Sequence, residues 1–185
     1  TMLVFITTDV NITPDMLQKA LSEDIVDTFN MISVDGDTST NDMVSVLANG
    51  LAENEKITSE NEDYFTFKKA LNLVTSTLCK CIAKDGEGAT KLIECNVKGA
   101  VDTQNAKTIA KSVICSPLVK TAMFGSDANW GRVLCSIGYS GAKVDVNKVD
   151  VCFESNKGSI NVCNCGAGVN FDEDKAKEIL SQDEV

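Results

Sequence analysis

The residue type best suited to chemistry stands first, Thr1, in the run Thr1-Met-Leu-Val-Phe-Ile-Thr-Thr-Asp9. A terminal threonine joins a nucleophile, its Oγ, to a general base, its α-amine. An α-amino group titrates near pH ~8, so part of it is uncharged and able to take the hydroxyl proton. The apolar residues that follow predict a strand over residues 2–10, which would hold Thr1 at the rim of a sheet. A terminal threonine left by processing, with no chemical role, is the alternative.

The chain has no histidine and eight cysteines. The lack of histidine excludes Ser-His-Asp and Cys-His mechanisms built from this chain alone. The cysteines mostly sit in apolar periodic segments, which predicts small buried thiols in a reducing cytosol rather than disulfides. The segments concerned contain Cys79, Cys81, Cys115, Cys135 and Cys152. The pairs Cys79-Lys-Cys81 and Cys163-Asn-Cys165 lack the usual spacing of zinc ligands, so we predict no metal site.

Length and charge bound the class of protein. We expect the 185 residues to form one domain, 1–185, with a sizeable core. A formal charge of −10 argues against a nucleic-acid partner. No apolar run approaches the roughly 20 residues of a membrane span, and none resembles a signal peptide.

Hydrophobic periodicity predicts mostly helices after the first strand. A helix capped by Thr13 with Pro14 at its first position should run to near Asn30, and the stripe Phe67, Leu71, Val74, Leu78 and Ile82 marks a long central helix. Further helices are predicted over 43–48, 102–115, 118–123, 133–139 and 171–180. Strands are predicted over 31–34 and 92–97, with a hairpin of 148–154 and 159–165.

The most polar stretch is Ser33-Val-Asp-Gly-Asp-Thr-Ser-Thr-Asn-Asp42. The alternation of Asp35, Asp37 and Ser39 is that of a calcium loop, but the twelfth position would be Val46 where a glutamate is needed. A turn that caps a helix starting at about Thr40 is the favoured interpretation.

Two further loops admit two interpretations each. In Asp85-Gly-Glu-Gly-Ala-Thr-Lys91 the order of residues is wrong for a phosphate loop, and Glu87 is either a solvated acid or one that projects towards a ligand. The segment Phe124-Gly-Ser-Asp-Ala-Asn-Trp-Gly-Arg132 is either a substrate wall or a helix start capped by Asp127 with Trp130 buried.

Taken together, five of these stretches resemble the β chain of the ornithine acetyltransferase family, the bifunctional glutamate N-acetyltransferases of arginine biosynthesis. They are Thr1–Asp9, Ser33–Asp42, Asp85–Lys91, Ser116-Pro-Leu-Val-Lys-Thr-Ala122 and Gly125-Ser-Asp-Ala-Asn-Trp-Gly-Arg132. The match is collinear from Thr1 to about Leu180. The resemblance implies an α/β (α+β) sandwich of mixed sheets and helices, of the self-cleaving N-terminal-nucleophile aminopeptidase type.

The resemblance also implies roles for residues and partners. Thr1 matches the threonine before which the precursor cleaves itself, and it would be both catalytic and substrate-binding; Glu87 matches a substrate-binding acid. A cytoplasmic ping-pong reaction would move acetyl from N-acetylornithine to glutamate through acetyl-Thr1. An α chain of the same precursor would supply oxyanion donors and pair with this chain in an α2β2 heterotetramer. No cofactor is implied, and whether acetyl-CoA also donates acetyl stays open.

Two points depart from a simple transfer. Family β chains continue beyond the position of Val185 with an Asn and a Ser or Thr that touch substrate, and those residues lie outside this sequence. A hydrolase of the same fold, an N-terminal-nucleophile aminopeptidase or amidase, would resolve the acyl-enzyme with water, and the nucleophile alone does not separate the two reactions.

Overall fold

The computed structural model describes all 185 residues, and their contacts divide the chain into two compact units. The first unit comprises Thr1–Ile32 and Gly36–Ile82, and the second comprises Ser33–Asp35 and Ala83–Val185. The sequence-based expectation of one domain over 1–185 stays a prediction. None of the helices combines the length and the apolar character that a membrane span requires.

The first unit is built on two parallel strands, β1 (Leu3–Thr8) and β2 (Met43–Ala48). Successive side chains of β1 alternate between the two faces of the sheet, so Val4 and Ile6 are buried whereas Leu3 and Phe5 are exposed. The register pairs Leu3 with Met43 and continues without a shift to Thr8 and Ala48.

Two helices cover the buried side of this unit. Helix α1 (Pro14–Asp24) begins as the sequence predicts, because the Thr13 hydroxyl accepts a hydrogen bond from the Met16 N–H and proline occupies the first position. Helix α2 (Glu62–Lys84) confirms the predicted central helix, and its buried residues recur on one face. The core of the unit contains Val4, Ile6, Ile12, Ala20, Phe29, Ile57, Tyr64, Leu71 and Cys79.

Three sequence predictions in this unit are wrong or shifted. Residues 43–48 form strand β2 and not a helix, because Val44 and Val46 favour an extended chain that pairs with β1. Residues 31–34 form no strand: a 3-10 helix at Phe29–Met31 gives way to bends. Helix α1 ends at Asp24, earlier than the expected end near Asn30.

The second unit combines four helices with a small antiparallel sheet. Helices α3 (Thr103–Cys115), α4 (Pro117–Phe124) and α5 (Trp130–Gly138) follow one another, and α6 (Glu173–Leu180) packs on the sheet. The sheet has the order β3-β4-β5, with β3 (Val151–Ser155) and β4 (Gly158–Asn164) forming the predicted hairpin and β5 being Ala167–Gly168. Residues 92–97 make only an isolated bridge, Leu92 with Glu184, and not the predicted strand.

Residue 168 must lack a side chain, because the Trp130 indole packs directly against the Gly168 backbone. A Cβ added at Gly168 would lie 2.7 Å from Trp130 Cε2 and 3.0 Å from Nε1, and closer still to Cζ2. Real Cβ atoms do not approach a ring so closely, so the indole would have to move out of its packed position.

We therefore expect Gly168→Ala to lower the free energy of unfolding by about 1–3 kcal/mol through overpacking. Thermal unfolding measures this, with Gly138→Ala as the matched control. Nothing lies within 4 Å of a Cβ added at Gly138, the last residue of α5. The control should be neutral or slightly stabilising. Equal unfolding temperatures for the two variants would show that the Trp130 contact is not tight.

Candidate active site

Thr1 lies two residues before β1 and its side chain is exposed. Its Oγ1 hydroxyl donates a hydrogen bond to the Asn41 side-chain oxygen Oδ1, at 2.8 Å. The hydroxyl that the sequence singles out is therefore both accessible and held in one direction by a neighbour.

The residue after Thr1 is fixed from the same side. The Met2 N–H donates to Asp42 Oδ1 at 2.7 Å, and the Met2 carbonyl accepts a hydrogen bond from the Met43 N–H at 2.9 Å. Both backbone polar groups of Met2 are thus bonded, one in each of the first two peptides, so Thr1 is attached to a fixed backbone and does not fray.

These partners meet because β1 and β2 are parallel. Parallel strands begin at the same edge of a sheet, and Leu3 pairs with Met43. Continued backwards by two residues, the same register sets Thr1 beside Asn41. The residues in front of the two strands therefore form one cluster.

The loop before β2 is organised by short-range hydrogen bonds. The Asn41 N–H donates to the Ser39 hydroxyl at 3.4 Å, and that hydroxyl lies 3.3 Å from Asn41 Oδ1, which it can donate to in turn. The Ser39 hydroxyl, followed by the Met2 N–H, lowers the pKa of Asp42 below its usual value. The loop is a polar turn, as predicted, but it leads into a strand and not into a helix at Thr40.

Glu87 belongs to the second unit, in the turn that follows α2. Gly88 has φ +72°, a left-handed conformation, and a Cβ at Gly86 would lie 3.0 Å from Val34 Cγ1. The two glycines thus permit a tight turn at whose outer side the Glu87 side chain is exposed. Thr1 and Glu87 lie in different units, and the role of Glu87 stays a prediction.

The segment 124–132 contains the start of helix α5. This agrees with the interpretation as a helix start and not as a substrate wall, but the capping residue differs from the predicted one. Asn129, not Asp127, caps α5 through a hydrogen bond from the Arg132 N–H at 3.1 Å, while Asn129 Nδ2 donates to Asp127 at 3.0 Å. Trp130 is half-buried rather than buried. The Arg132 guanidinium donates to the Leu118 carbonyl and to the Thr121 hydroxyl, each at 2.9 Å, and so fastens α5 to α4.

All eight cysteines are free thiols, but only Cys79 and Cys163 are buried. Burial raises the pKa of Cys79 and of the half-buried Cys95 to about 11 each. The expectation of buried thiols is wrong for Cys81, Cys135 and Cys152, which are exposed in this chain. No group of three or more Cys, Asp or Glu side chains is arranged to hold a metal ion.

Sequence reasoning missed Asn41 and Asp42 as residues of the site. Their types are ordinary for a helix cap, and the sequence favoured that use. The signal that identifies them is the register: once residues 43–48 are known to pair with β1, an offset of 40 places each beside its partner, as Leu3 lies beside Met43.

Comparison with known proteins shows the same family over the whole chain. The family model described as ArgJ family matches residues 1–185. The arginine biosynthesis bifunctional protein ArgJ 1 of Clostridium acetobutylicum is 59% identical over 100% of this chain and 45% of the relative. The arginine biosynthesis bifunctional protein ArgJ of Thermotoga neapolitana is 52% identical over 100% of this chain and 47% of its own length. The chain thus spans about half the length of these relatives.

A solved structure gives the same answer for the fold. The crystal structure of the arginine biosynthesis bifunctional protein argJ from Bacillus halodurans superimposes with a TM-score of 0.92 at 50% identity, covering 100% of this chain and 84% of that chain. The predicted fold class, an α/β arrangement of mixed sheets and helices, is confirmed.

The Asp42 contact has a defined pH dependence. Its folded-state pKa is lowered, so the contribution of the carboxylate is fully present above the unfolded value of about 3.9 and is lost as the pH falls through the lower folded value. In ¹⁵N-methionine-labelled protein titrated downward from about pH 6, the Met2 amide resonance should stay constant to about pH 4 and move only below it. Asp42→Asn keeps an acceptor oxygen without the charge, so its Met2 resonance should not move over the same range. A wild-type resonance that is already independent of pH would contradict the contact.

Proposed function

Because the chain belongs to the ArgJ family, we propose that it is the nucleophile-bearing β chain of an ornithine acetyltransferase. In this proposal it transfers acetyl from N2-acetylornithine to glutamate, in arginine biosynthesis. The observation that carries the proposal is the Thr1 hydroxyl, which is exposed in front of β1 and held by Asn41.

The proposed reaction has two halves with one covalent intermediate. The Thr1 Oγ attacks the acetyl carbon while the α-amine of Thr1, free after self-cleavage of the precursor, takes the hydroxyl proton. The bond from the acetyl carbon to the ornithine nitrogen then breaks, and that nitrogen leaves with the proton. In the second half the amine of glutamate attacks the acetyl ester, the ester bond breaks, and a proton returns to Oγ.

Glu87 is proposed as a substrate-binding acid. Ornithine carries cationic amines, and a carboxylate is their natural partner in a charge-assisted hydrogen bond. The exposed side chain in the glycine turn at 86–88 is free to reach such a ligand, which supports the assignment.

The proposed macromolecular partner is the α chain of the same precursor, in an α2β2 assembly. One face of the β1–β2 sheet supports this proposal, because four large apolar side chains on that face are exposed. They are Leu3 at 58%, Phe5 at 64%, Met43 at 40% and Leu47 at 56%. An exposed apolar patch of this kind is typical of a surface that another protein segment covers. The partner would also supply oxyanion donors, which carry a large share of the rate in acyl transfer.

Further parts of the proposal concern location and donors. We place the reaction in the cytoplasm, where the eight free thiols of the chain would stay reduced. No cofactor takes part in the proposed steps. Acetyl-CoA is proposed as a second acetyl donor, and formation of N-acetylglutamate from acetyl-CoA and glutamate alone would test it.

We expect Thr1→Ala in the full-length protein to abolish both cleavage before residue 1 and acetyl transfer, the latter by more than about 1,000-fold. The same hydroxyl serves both steps, so both should fail together. Intact mass after incubation with N-acetylornithine and rapid quenching measures the added acetyl group, and peptide mapping locates it.

Two variants act as controls for this experiment. Thr1→Ser keeps the hydroxyl and the amine and should remain active, whereas Thr66→Ala removes an exposed threonine hydroxyl from α2 and should change nothing. Transfer retained in Thr1→Ala would disprove the mechanism. Release of acetate at the same rate with and without glutamate, with no N-acetylglutamate, would identify a hydrolase instead.

We expect Glu87→Gln to weaken binding of N-acetylornithine by about 1.5–3 kcal/mol, the usual worth of a hydrogen bond to a charged group. The saturation constant for N-acetylornithine should rise while the self-cleavage before Thr1 stays intact. Glu154→Gln, a loss of one exposed carboxylate on β3 of the same unit, is the matched control. Unchanged saturation in Glu87→Gln would show that this residue is only a solvated acid.

A further inference from the structure

We propose that Asn41 is a further catalytic residue, which holds the Thr1 Oγ atom in the position from which it attacks, and that Asp42 positions Thr1 by binding the peptide that follows it. The inference rests on the proposed function, since it concerns the residue that would attack the acetyl group.

The first support is direct contact with the reacting atom. Asn41 Oδ1 lies 2.8 Å from Thr1 Oγ1, a normal distance for an O–H···O hydrogen bond. A threonine side chain has three staggered positions, and this bond favours one of them. The bond therefore fixes the position of Oγ1 about χ1. When the attack begins, the hydrogen turns from Asn41 to the α-amine by rotation about the Cβ–Oγ bond, and Oγ1 does not move.

The second support is that Asn41 is itself held in place. The Asn41 N–H donates to the Ser39 hydroxyl at 3.4 Å, and that hydroxyl lies 3.3 Å from Asn41 Oδ1. These contacts do not involve Thr1, so they give the amide oxygen a preferred position of its own. A group that its own neighbours already orient can orient another group without a further loss of conformational entropy at the moment of reaction.

The third support concerns the backbone. Asp42 Oδ1 accepts the Met2 N–H at 2.7 Å, while the Met43 N–H donates to the Met2 carbonyl at 2.9 Å. These bonds fix the peptide that follows Thr1, and the contact with Asn41 restrains the Thr1 side chain. Asp42 thus positions the backbone, and Asn41 positions the Thr1 hydroxyl.

The chemistry limits what Asn41 can do. A neutral carboxamide oxygen accepts a hydrogen bond but does not become protonated near neutral pH, so it is not the general base. The proton from Oγ goes to the α-amine in the proposed reaction, and Asn41 contributes the position of the Oγ atom alone. Removal of Asn41 should therefore slow the attack without changing how tightly substrate binds.

The test uses the full-length protein and three variants. Asn41→Leu has a similar size but no acceptor, and Asn41→Asp restores an acceptor oxygen. Asn49→Leu is the matched control, because Asn49 also accepts one hydrogen bond, from the Leu51 N–H, at the other end of the same two strands. The readouts are the rate of acetyl-Thr1 formation per cleaved chain and the saturation constant for N-acetylornithine.

Asn41→Leu should form acetyl-Thr1 about 10- to 100-fold more slowly than Asn49→Leu, with a saturation constant within about twofold of wild type. Asn41→Asp should recover most of the lost rate. If Asn41→Leu yields no cleaved chain, cleavage and acetylation in Asn41→Asp become the deciding readouts.

Two results would overturn the inference. Equal rates in Asn41→Leu and Asn49→Leu would show that the hydrogen bond does not orient the nucleophile. An Asn41→Asp variant as slow as Asn41→Leu, or uncleaved, would reduce Asn41 to a structural residue. In both cases wild-type protein still acetylates Thr1, whereas a wild-type protein without acetyl-Thr1 would remove the proposed function itself.

Discussion

The candidate site depends on the parallel pairing of β1 with β2. Parallel strands start at the same edge of a sheet, so the residues in front of them become neighbours. A shift of one residue in β1 would turn Val4 and Ile6 towards solvent and expose apolar core. The apolar residues that build the core therefore also decide that Asn41, and no other residue of its loop, stands opposite Thr1. Packing and chemistry follow from a single register.

The sheet that carries Thr1 is unusually small. A pair of strands is marginally stable without a packed face, and here α1 and α2 supply that packing on one side only. On the other side Leu3 and Phe5 remain exposed. A partner chain that covered them would stabilise the strand behind Thr1 and, in the proposed function, bring the oxyanion donors as well. Association would then complete the fold and the site in one event.

Sequence reasoning predicted the elements that depend on residues close together in the chain, and it failed where distant residues must pair. Helix α2 and helix α3 are recognisable because their apolar stripes and caps are local signals. Strand β2 was not recognisable. Its six residues follow a run of Ser, Thr, Asn and Asp, which is typical of a capped helix, and the strand with which they pair lies 40 positions earlier. Thr1 was predicted from its residue type, its position at residue 1 and the resemblance to the family. Asn41 was missed because its position in the site comes from long-range pairing, which no local pattern records.

That long-range pairing has a consequence for the order of events during synthesis. Residues 9–42 separate the two strands, and a connection of this length must close before the first ladder bond forms. A large sequence separation between contacting residues slows folding. Until residues 41–48 have been synthesised, the Thr1 hydroxyl has no fixed direction, because the strand that aligns its partners has yet to be made. The chemistry of the first residue is thereby timed by the folding of residues translated well after it.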